Sequence, residues 1–266
     1  MFTNYLAGIF VFIFGLAIGS FLNCVVYRIE EGKSFLKGRS FCPHCKHQLS
    51  WRDLFPVFSF LFLGGKCRYC KAKISWQYPA VEMATALIFL LILNRFSIFQ
   101  FVNLIFWFYA ASVLIIIFIY DLKHYLIPDK VLFPAIGISF AYRLFEGYAP
   151  VLNYLVAVLM GAGFFFAIWL VSKGKWMGFG DVKLAVLMGF LLGYPNILAA
   201  LFLAFFLGAI IGVGLMIFGA KSGSAKGGGW RMKSEIPFGP FLIIGTFMAL
   251  FYGESLIQWY LNLIVF

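Results

Sequence analysis

The sequence predicts an all-α polytopic membrane protein with about eight transmembrane helices and a small cytoplasmic zinc-knuckle insert after the first helix. Three observations support this fold class. Of the 266 residues, 63% are hydrophobic and only 12% are charged, which is about half the charged share of a soluble domain. Long apolar segments recur from one end of the chain to the other. Four cysteines lie in the one sizeable polar stretch.

Eight apolar segments predict the membrane spans. They cover residues 5–27, 78–94, 100–120, 131–146, 151–171, 182–194, 197–219 and 237–261. The fourth and sixth are short, so we expect these helices to be tilted or extended by loop residues. The first segment lacks a basic start, and its apolar run is too long for a signal peptide. We therefore expect it to be retained as a span.

The placement of Lys and Arg predicts the orientation of the spans. If the N-terminus lies outside, the odd-numbered connections are cytoplasmic, and they hold 19 of the 21 basic residues. Both termini are then outside, and the chain divides into a first transmembrane helix (1–27), a cytoplasmic insert (28–77) and a transmembrane domain (78–266). The net charge of +11 follows from this topology. A nucleic-acid partner, which would need a soluble basic domain, is not expected.

The cytoplasmic insert carries two Cys-x-x-Cys knuckles with 21 residues between them. This pattern suits a tetrahedral Zn²⁺ ion, because each knuckle directs two thiolates at one metal. We predict a structural zinc site on Cys42, Cys45, Cys67 and Cys70. Two disulfides or four free thiols are the alternatives, and a reducing cytosol argues against the disulfides. The fifth cysteine, Cys24, is expected to be a small buried apolar residue of the first span.

Three of the ten acidic residues flank predicted spans on the cytoplasmic side. Asp129 follows Pro128 at the start of the fourth span, and we expect it to cap that helix. Asp181 opens the sixth span, where capping would also explain a carboxylate. Asp121 instead ends the third span, where the helix dipole disfavours negative charge. An acid at the membrane edge in this position predicts a functional site.

Asp121 and Asp181 together predict a particular chemistry. Two carboxyl groups held close together do not both ionise easily, so they share one proton. One then acts as a base on water while the protonated one polarises a peptide carbonyl, as in aspartic proteases. Gly178 and Gly180, which lack side chains, would let a partner helix or an extended substrate strand approach closely. Whether the two acids meet depends on the fold.

Several motifs in this order resemble those of the prepilin peptidases, also called type 4 leader peptidases, which belong with the GxGD intramembrane aspartyl proteases. They are "GSFLNCVVYR", "CPHC" with "GGKCRYC", "YPAVE", "DLKHYLIPD", "GFGDVKLAVLMG" and "IPFGPFL". The matching stretches span nearly the whole chain. A lone Gly-x-Gly-Asp is a weak signal, whereas the ordered set is a strong one.

The resemblance implies two activities at the cytoplasmic face of the bacterial inner membrane. One is cleavage of the leader peptide of type IV prepilins or type II secretion pseudopilins. The other is N-methylation of the new N-terminal residue with S-adenosylmethionine. Members without the cysteine insert look like peptidases alone, so the insert implies the bifunctional form. The implied partners are the prepilin substrates and the lipid bilayer, and a homo-oligomer is compatible with both.

The resemblance also assigns residues. The catalytic pair falls on Asp121 and Asp181, and the methyltransferase-linked pair falls on Gly65 and Lys66. The supporting motif comprises Gly178, Gly180, Pro128 and Asp129. In this picture 28–77 is the methyltransferase-linked insert and 78–266 is the aspartyl peptidase domain.

The methyl-donor site has no signature in the sequence. The glycine-rich stretch 221–235 follows a span rather than a strand, so we expect a flexible basic loop there rather than a nucleotide-binding turn. Glu30, Glu31 and Glu82 could contact a sulfonium cation, although solvated or structural roles explain them more simply.

Three alternatives stay open on the sequence alone. The protein could be a peptidase without methyl transfer. It could also be a proton- or cation-coupled transporter, although that class places its acids near the bilayer midplane. The third alternative is a pilus-assembly scaffold in which zinc holds a docking domain.

Overall fold

Nearly all of the chain that the structure describes is helical. The structure is a computed structural model, and it describes residues 2–34, 38–96, 100–219 and 237–264. The α-helices are α1 (Phe2–Glu30), α2 (Phe58–Phe62), α3 (Gln77–Arg95), α4 (Phe101–His124), α5 (Asp129–Glu146), α6 (Tyr148–Ser172), α7 (Phe179–Leu192), α8 (Asn196–Gly219) and α9 (Gly239–Ile264). A short 3₁₀ helix, Trp51–Leu54, precedes α2. The expected basic loop 221–235 lies outside the described residues.

Each of the eight predicted spans coincides with an α-helix, and the all-α fold class is confirmed. Within the described part of the chain, six helices are long and apolar enough to cross a membrane: α1, α3, α4, α6, α8 and α9. The other two, α5 with 18 residues and α7 with 14 residues, correspond to the fourth and sixth predicted spans. Both are short, as the sequence predicted.

The chain forms two compact units, residues 1–116 and 117–266. In the first unit α1 packs along α3. The contact is close because two glycines of α1 face α3 backbone: a Cβ at Gly15 would lie 2.6 Å from Ala86 Cα, and one at Gly19 would lie 2.6 Å from Glu82 Cα. Small residues at such crossings let helix backbones approach each other in a membrane. This packing holds Glu82 against α1.

In the second unit α7 packs against α5, α6 and α9. Nearly every residue of α7 from Val182 to Leu192 is buried. A Cβ at Gly189 would lie 2.7 Å from Val158 Cα, so α6 and α7 are also in close backbone contact. A helix that is apolar on all sides is expected to be enclosed. The enclosure of α7 explains how 14 residues can hold a defined position.

Both ends of α7 are tied to α5. At the C-terminal end of α7, Arg143 donates hydrogen bonds of 2.9 Å to the carbonyl oxygens of Phe190 and Leu191. A guanidinium satisfies the free carbonyls of a helix end and interacts favourably with its dipole. At the other end, Lys183 pairs with Asp129. These contacts fix the helix that carries Asp181.

Candidate active site

Asp121 lies in the last turn of α4, as the sequence predicted, and its side chain is buried with 4% exposure. The carboxylate accepts a hydrogen bond from the backbone N–H of Gly239, the first residue of α9. There is no space for a side chain at position 239, because a Cβ there would overlap Asp121 Oδ2. The amide at the start of α9 therefore reaches the carboxylate directly. An N–H at a helix N-terminus stabilises negative charge.

Asp181 lies in the first turn of α7 and is half-buried. Its carboxyl group is close enough to Asp121 for the charge of Asp121 to act on it. The fold thus brings together two acids that stand sixty residues apart in the sequence. The N-cap of α7 is Gly178, and no side chain caps this end by a hydrogen bond. Capping thus does not explain Asp181.

The two acids of this pair lie in unlike surroundings. One carboxyl group is buried and receives a backbone N–H, while the other lies at a helix N-terminus and is half-buried. Because their surroundings differ, the two groups are expected to differ in how tightly they hold a proton. The chemistry that such a pair supports is general acid–base catalysis on a water molecule and a carbonyl.

The two motif glycines occupy different surroundings. A Cβ at Gly180 would lie 3.3 Å from Ile127 Cδ1, so this glycine allows close contact with the segment that enters α5. At Gly178 the nearest atom to a Cβ would be the Gly180 amide nitrogen, 3.9 Å away. The backbone at Gly178 is extended, with φ −72° and ψ 147°. Close approach to a neighbouring segment is therefore seen at Gly180.

The capping role predicted for Asp129 is wrong. Pro128 itself is the N-cap residue of α5, and no side chain caps that helix by a hydrogen bond. Both carboxylate oxygens of Asp129 instead lie 2.8 Å from Nζ of Lys183 on α7. A bidentate contact with an ammonium group competes effectively with a backbone N–H for the carboxylate. Asp129 thus joins α5 to the helix that carries Asp181.

The four cysteines of the insert form one cluster, in which the Sγ atoms all lie within 4.8 Å of one another. Cys42 Sγ and Cys70 Sγ are 3.8 Å apart. Four thiolates bound tetrahedrally at about 2.3 Å from Zn²⁺ would be about 3.8 Å from each other. The cluster therefore fits a zinc ion. The separations exceed a disulfide bond length of about 2 Å, and all four thiols are free.

The two knuckles have the same local structure, repeated 25 residues later. In the first, the Cys42 N–H donates to the His47 carbonyl and Lys46 has a left-handed backbone with φ 57°. In the second, the Cys67 N–H donates to the Ala72 carbonyl and Lys71 has φ 58°. Each turn directs its pair of sulfurs at a common point, which is the property expected of a zinc knuckle.

Local hydrogen bonds favour the charged form of two groups in the insert, Cys67 and Asp53. The backbone N–H groups of Cys70 and Tyr69 lower the pKa of the Cys67 thiol to about 7, which favours the thiolate that binds metal. Burial raises the pKa of Asp53, but hydrogen bonds from Arg68 and Ser50 outweigh it, so that this pKa lies below its usual range. The Arg68–Asp53 ion pair, at 2.6 Å, links the second knuckle to the 3₁₀ helix.

Gly65 and Lys66 precede the second knuckle. Gly65 has φ 67°, a left-handed conformation that favours glycine. Its carbonyl accepts the Ile74 N–H at 2.7 Å. A Cβ at Gly65 would lie 3.1 Å from a ring atom of Phe60. Lys66 is exposed and pairs with Lys73 in an isolated antiparallel bridge. The pair therefore sets the backbone that carries Cys67.

For two residues, the structure differs from what the sequence predicted or shows a contact that the sequence did not predict. Cys24 was expected to be buried, but it is partly exposed because it faces a cavity beside α1. Gly239 belongs to the quoted stretch "IPFGPFL", but its contact with Asp121 was not foreseen. A glycine between aromatic and proline residues at a span start was the available signal. It did not indicate which partner required the missing side chain.

Comparisons with known proteins agree with this description. The Bacterial Peptidase A24 N-terminal domain matches residues 13–96, and the Type IV leader peptidase family matches residues 108–213. The "Prepilin leader peptidase/N-methyltransferase" of Bacillus subtilis (strain 168) is 34% identical over 95% of this chain and 97% of its own length.

Two further relatives with the same name come from Aeromonas salmonicida (strain A449) and Legionella pneumophila. They are 30% and 31% identical over 96% and 94% of this chain, and over 94% and 93% of their own lengths. No solved structure matches the chain. The order of motifs, the helical membrane architecture and these relatives agree, and the chain belongs to the type IV leader peptidase family.

Proposed function

We propose that this protein cleaves the leader peptide of type IV prepilins or type II secretion pseudopilins and then N-methylates the new N-terminal residue. The observation that carries the proposal is that Asp121, in the second unit, lies close enough for its charge to act on the Asp181 carboxyl group. The relatives' shared name, "Prepilin leader peptidase/N-methyltransferase", supports both halves. It does not favour a peptidase alone, a transporter or an assembly scaffold.

Peptide hydrolysis needs one proton shared by the two acids. The ionised carboxylate takes a proton from water as the water oxygen attacks the scissile carbonyl, and the protonated carboxyl group donates to the carbonyl oxygen. When the C–N bond breaks, the proton that the base took from water passes to the leaving amine, and a hydroxyl proton of the tetrahedral intermediate returns to the other carboxylate, so the pair returns to its starting state. The Gly239 N–H favours the ionised form of Asp121. We assign Asp121 as the base and Asp181 as the proton donor.

Methyl transfer is the second reaction. S-adenosylmethionine, when bound, would supply the methyl group to the nitrogen of the new N-terminus, with S-adenosylhomocysteine as the leaving product and one proton released to water. The insert at 28–77 is the part of this chain that we assign to methyl transfer. Gly65 and Lys66 act there by setting the backbone of the second knuckle.

Zinc has a structural role in the proposal. The four clustered sulfurs would hold Zn²⁺ with a closed coordination shell, which is typical of structural sites. The insert has about 50 residues, too few for a large core, so a metal ion would supply much of its stability.

We place the protein in the bacterial inner membrane, with both termini outside and the insert and the Asp pair facing the cytoplasm. The placement of basic residues supports this orientation. A prepilin would then remain in the bilayer through its apolar helix while its leader junction meets the acids at the water-accessible edge.

The test is mass spectrometry of a purified type IV prepilin after incubation with the full-length protein and S-adenosylmethionine in detergent. The wild-type protein should remove the leader and add one methyl group to the new N-terminus. Asp121→Asn and Asp181→Asn variants should leave the prepilin intact. Asp53→Asn, which removes a carboxylate of the insert, is the matched control and should still cleave. If the prepilin stays intact with the wild-type protein as well as with the variants, while a known relative cleaves the same substrate, the proposal is refuted.

A further inference from the structure

A cavity of about 340 Å³ lies in the first unit between α1, α3 and the segment 39–75, which carries both cysteine knuckles. Its size is in the range of cavities that hold small-molecule ligands, and its lining combines apolar groups with a few polar ones. Cys42 and Cys67, the buried members of the cysteine cluster, lie on its wall. The cavity is therefore formed in part by the cysteine-bearing insert that the proposed function assigns to methyl transfer.

Glu82 is a buried carboxylate on the cavity wall, with 6% exposure. One of its oxygens accepts the Val57 N–H at 2.7 Å, and Ser20 also donates to the carboxylate. Across the described ranges 2–34, 38–96, 100–219 and 237–264, Glu82 forms no ion pair. A buried carboxylate without a cation is costly to maintain, and acids within membrane segments mark functional sites. Its remaining lone pairs and its charge are suited to a cationic ligand.

The backbone beside Glu82 also has an unusual conformation. Val57, which donates to the carboxylate, has φ 61° and ψ −50°. Left-handed φ values are rare for β-branched residues. Strained backbone of this kind concentrates at binding and catalytic sites, where the surrounding structure maintains it. The strain here directs an N–H at Glu82 and helps to hold the carboxylate on the cavity wall.

Other parts of the wall offer groups that suit a base and a carboxylate, as found in a ligand that joins a nucleoside to an amino acid. The rings of Tyr27 and Phe41 meet edge to face at 5.8 Å and provide an aromatic surface for a base. Lys73 supplies a cationic group for a carboxylate. Asp53, the other acid on the wall, is already paired with Arg68 at 2.6 Å. The negative charge available to a ligand cation is therefore that of Glu82.

We propose that this cavity binds S-adenosylmethionine and that Glu82 recognises its sulfonium charge. The inference rests on the proposed methyltransferase function and adds the location of the methyl donor to it. It also gives the cysteine cluster a role, because Cys42 and Cys67 form part of the wall that encloses the ligand. Gly65 and Lys66 lie outside the lining but contact residues that form it. Gly65 packs on Phe60, and Lys66 pairs with Lys73 in a β-bridge.

The test measures ligand binding rather than turnover. Calorimetry with full-length protein in detergent compares S-adenosylmethionine with S-adenosylhomocysteine, whose sulfur is neutral. Glu82→Gln keeps the size of the side chain and removes its charge. It should weaken S-adenosylmethionine binding by about tenfold or more and weaken S-adenosylhomocysteine binding by less. Glu31→Gln is the matched control, because Glu31 is a surface acid paired with Lys33 at 3.0 Å.

A second variant tests the cavity without using Glu82. Ser59 lies on the wall, so Ser59→Phe would fill part of the space and should abolish binding of both ligands. Ser34→Phe adds the same side chain at an exposed position and should not affect binding. Prepilin cleavage by each variant verifies that the second unit is folded, and its zinc content verifies that the first unit is folded. In the wild type, bound ligand should also protect Cys24 from alkylation, because Cys24 lines the cavity.

The outcomes separate the two proposals. If wild-type protein binds S-adenosylmethionine and methylates prepilin, while Glu82→Gln and Ser59→Phe bind it normally, the cavity assignment is overturned and the methyltransferase function stands. If wild-type protein cleaves prepilin but does not bind S-adenosylmethionine, the methyltransferase half of the function fails, and the cavity assignment fails with it. A charge-selective loss in Glu82→Gln together with protection of Cys24 supports the cavity assignment.

Discussion

At the scale of single residues, the surroundings of Asp121 depend on the absence of a side chain at Gly239. Gly239 brings a backbone N–H to the Asp121 carboxylate, and only a residue without a Cβ can do so. Glycine here is required by close approach and not by backbone conformation, since α9 begins at this residue. One carboxylate of the pair is therefore positioned by main-chain atoms of a helix that is distant in sequence.

Gly239→Ala is expected to lower the rate of prepilin cleavage by about a hundredfold. The new Cβ would overlap Asp121 Oδ2 and displace it, and a displacement of about 1 Å in a catalytic group costs about that factor. The measurement is the initial cleavage rate at saturating prepilin. Gly212→Ala on α8 is the matched control, because a Cβ there has no neighbour within 4 Å. Equal rates for the two variants would contradict the role given to Gly239.

At the scale of secondary-structure elements, α7 carries the second acid on a short helix that is fixed at both ends. Arg143 binds carbonyl oxygens at its C-terminal end, and Lys183 binds Asp129 near its N-terminal end. The two contacts differ in strength, because Arg143 is buried whereas Asp129 is half exposed. The Lys183–Asp129 pair is therefore expected to adjust the position of Asp181 rather than to maintain the fold.

Lys183→Gln and Asp129→Asn should each reduce cleavage by less than about fivefold, since exposed ion pairs contribute less than about 1 kcal/mol. The double variant should lose no more activity than the stronger single variant, because both changes remove one interaction. Cleavage rates of the four proteins, measured at low and high salt, check this expectation. Complete loss of cleavage in either single variant would instead indicate a direct part in catalysis.

At the scale of the whole molecule, the proposed activities lie in different units. The acid pair is in residues 117–266, and the cysteine cluster and cavity are in residues 1–116. The described residues assigned to each site lie within one unit. Loss of methyl transfer should therefore leave cleavage measurable, whereas methylation of a prepilin still needs the N-terminus that cleavage exposes.

Replacement of Cys67 by Ser is expected to abolish zinc binding and methyl transfer while cleavage continues. The variant removes one of four ligands, and structural zinc sites depend on a complete set. Zinc content by atomic emission, with prepilin products by mass spectrometry, provides the measurements. Cys24→Ser is the control for zinc and should retain the metal, because Cys24 lies outside the cluster. Full zinc content in Cys67→Ser would contradict the assigned ligand set.

The sequence alone was sufficient for the features that depend on local pattern. Apolar run length indicated all eight helices and the shortness of α5 and α7. The Cys-x-x-Cys spacing indicated the cluster, because a knuckle is a local turn that repeats the same hydrogen bonds. The helix dipole indicated that Asp121 was out of place, since this argument needs only its position near the end of a helix.

The tertiary structure alone decided which distant groups meet. It paired Asp129 with Lys183 instead of the end of its own helix, and it placed Gly239 against Asp121. It also distinguished Glu82 from Glu31, because burial on a cavity wall and exposure beside a lysine look alike in a sequence. The physical reason is that charge, hydrogen bonding and excluded volume act through space. Their partners are chosen by the packing of helices that lie far apart in the chain.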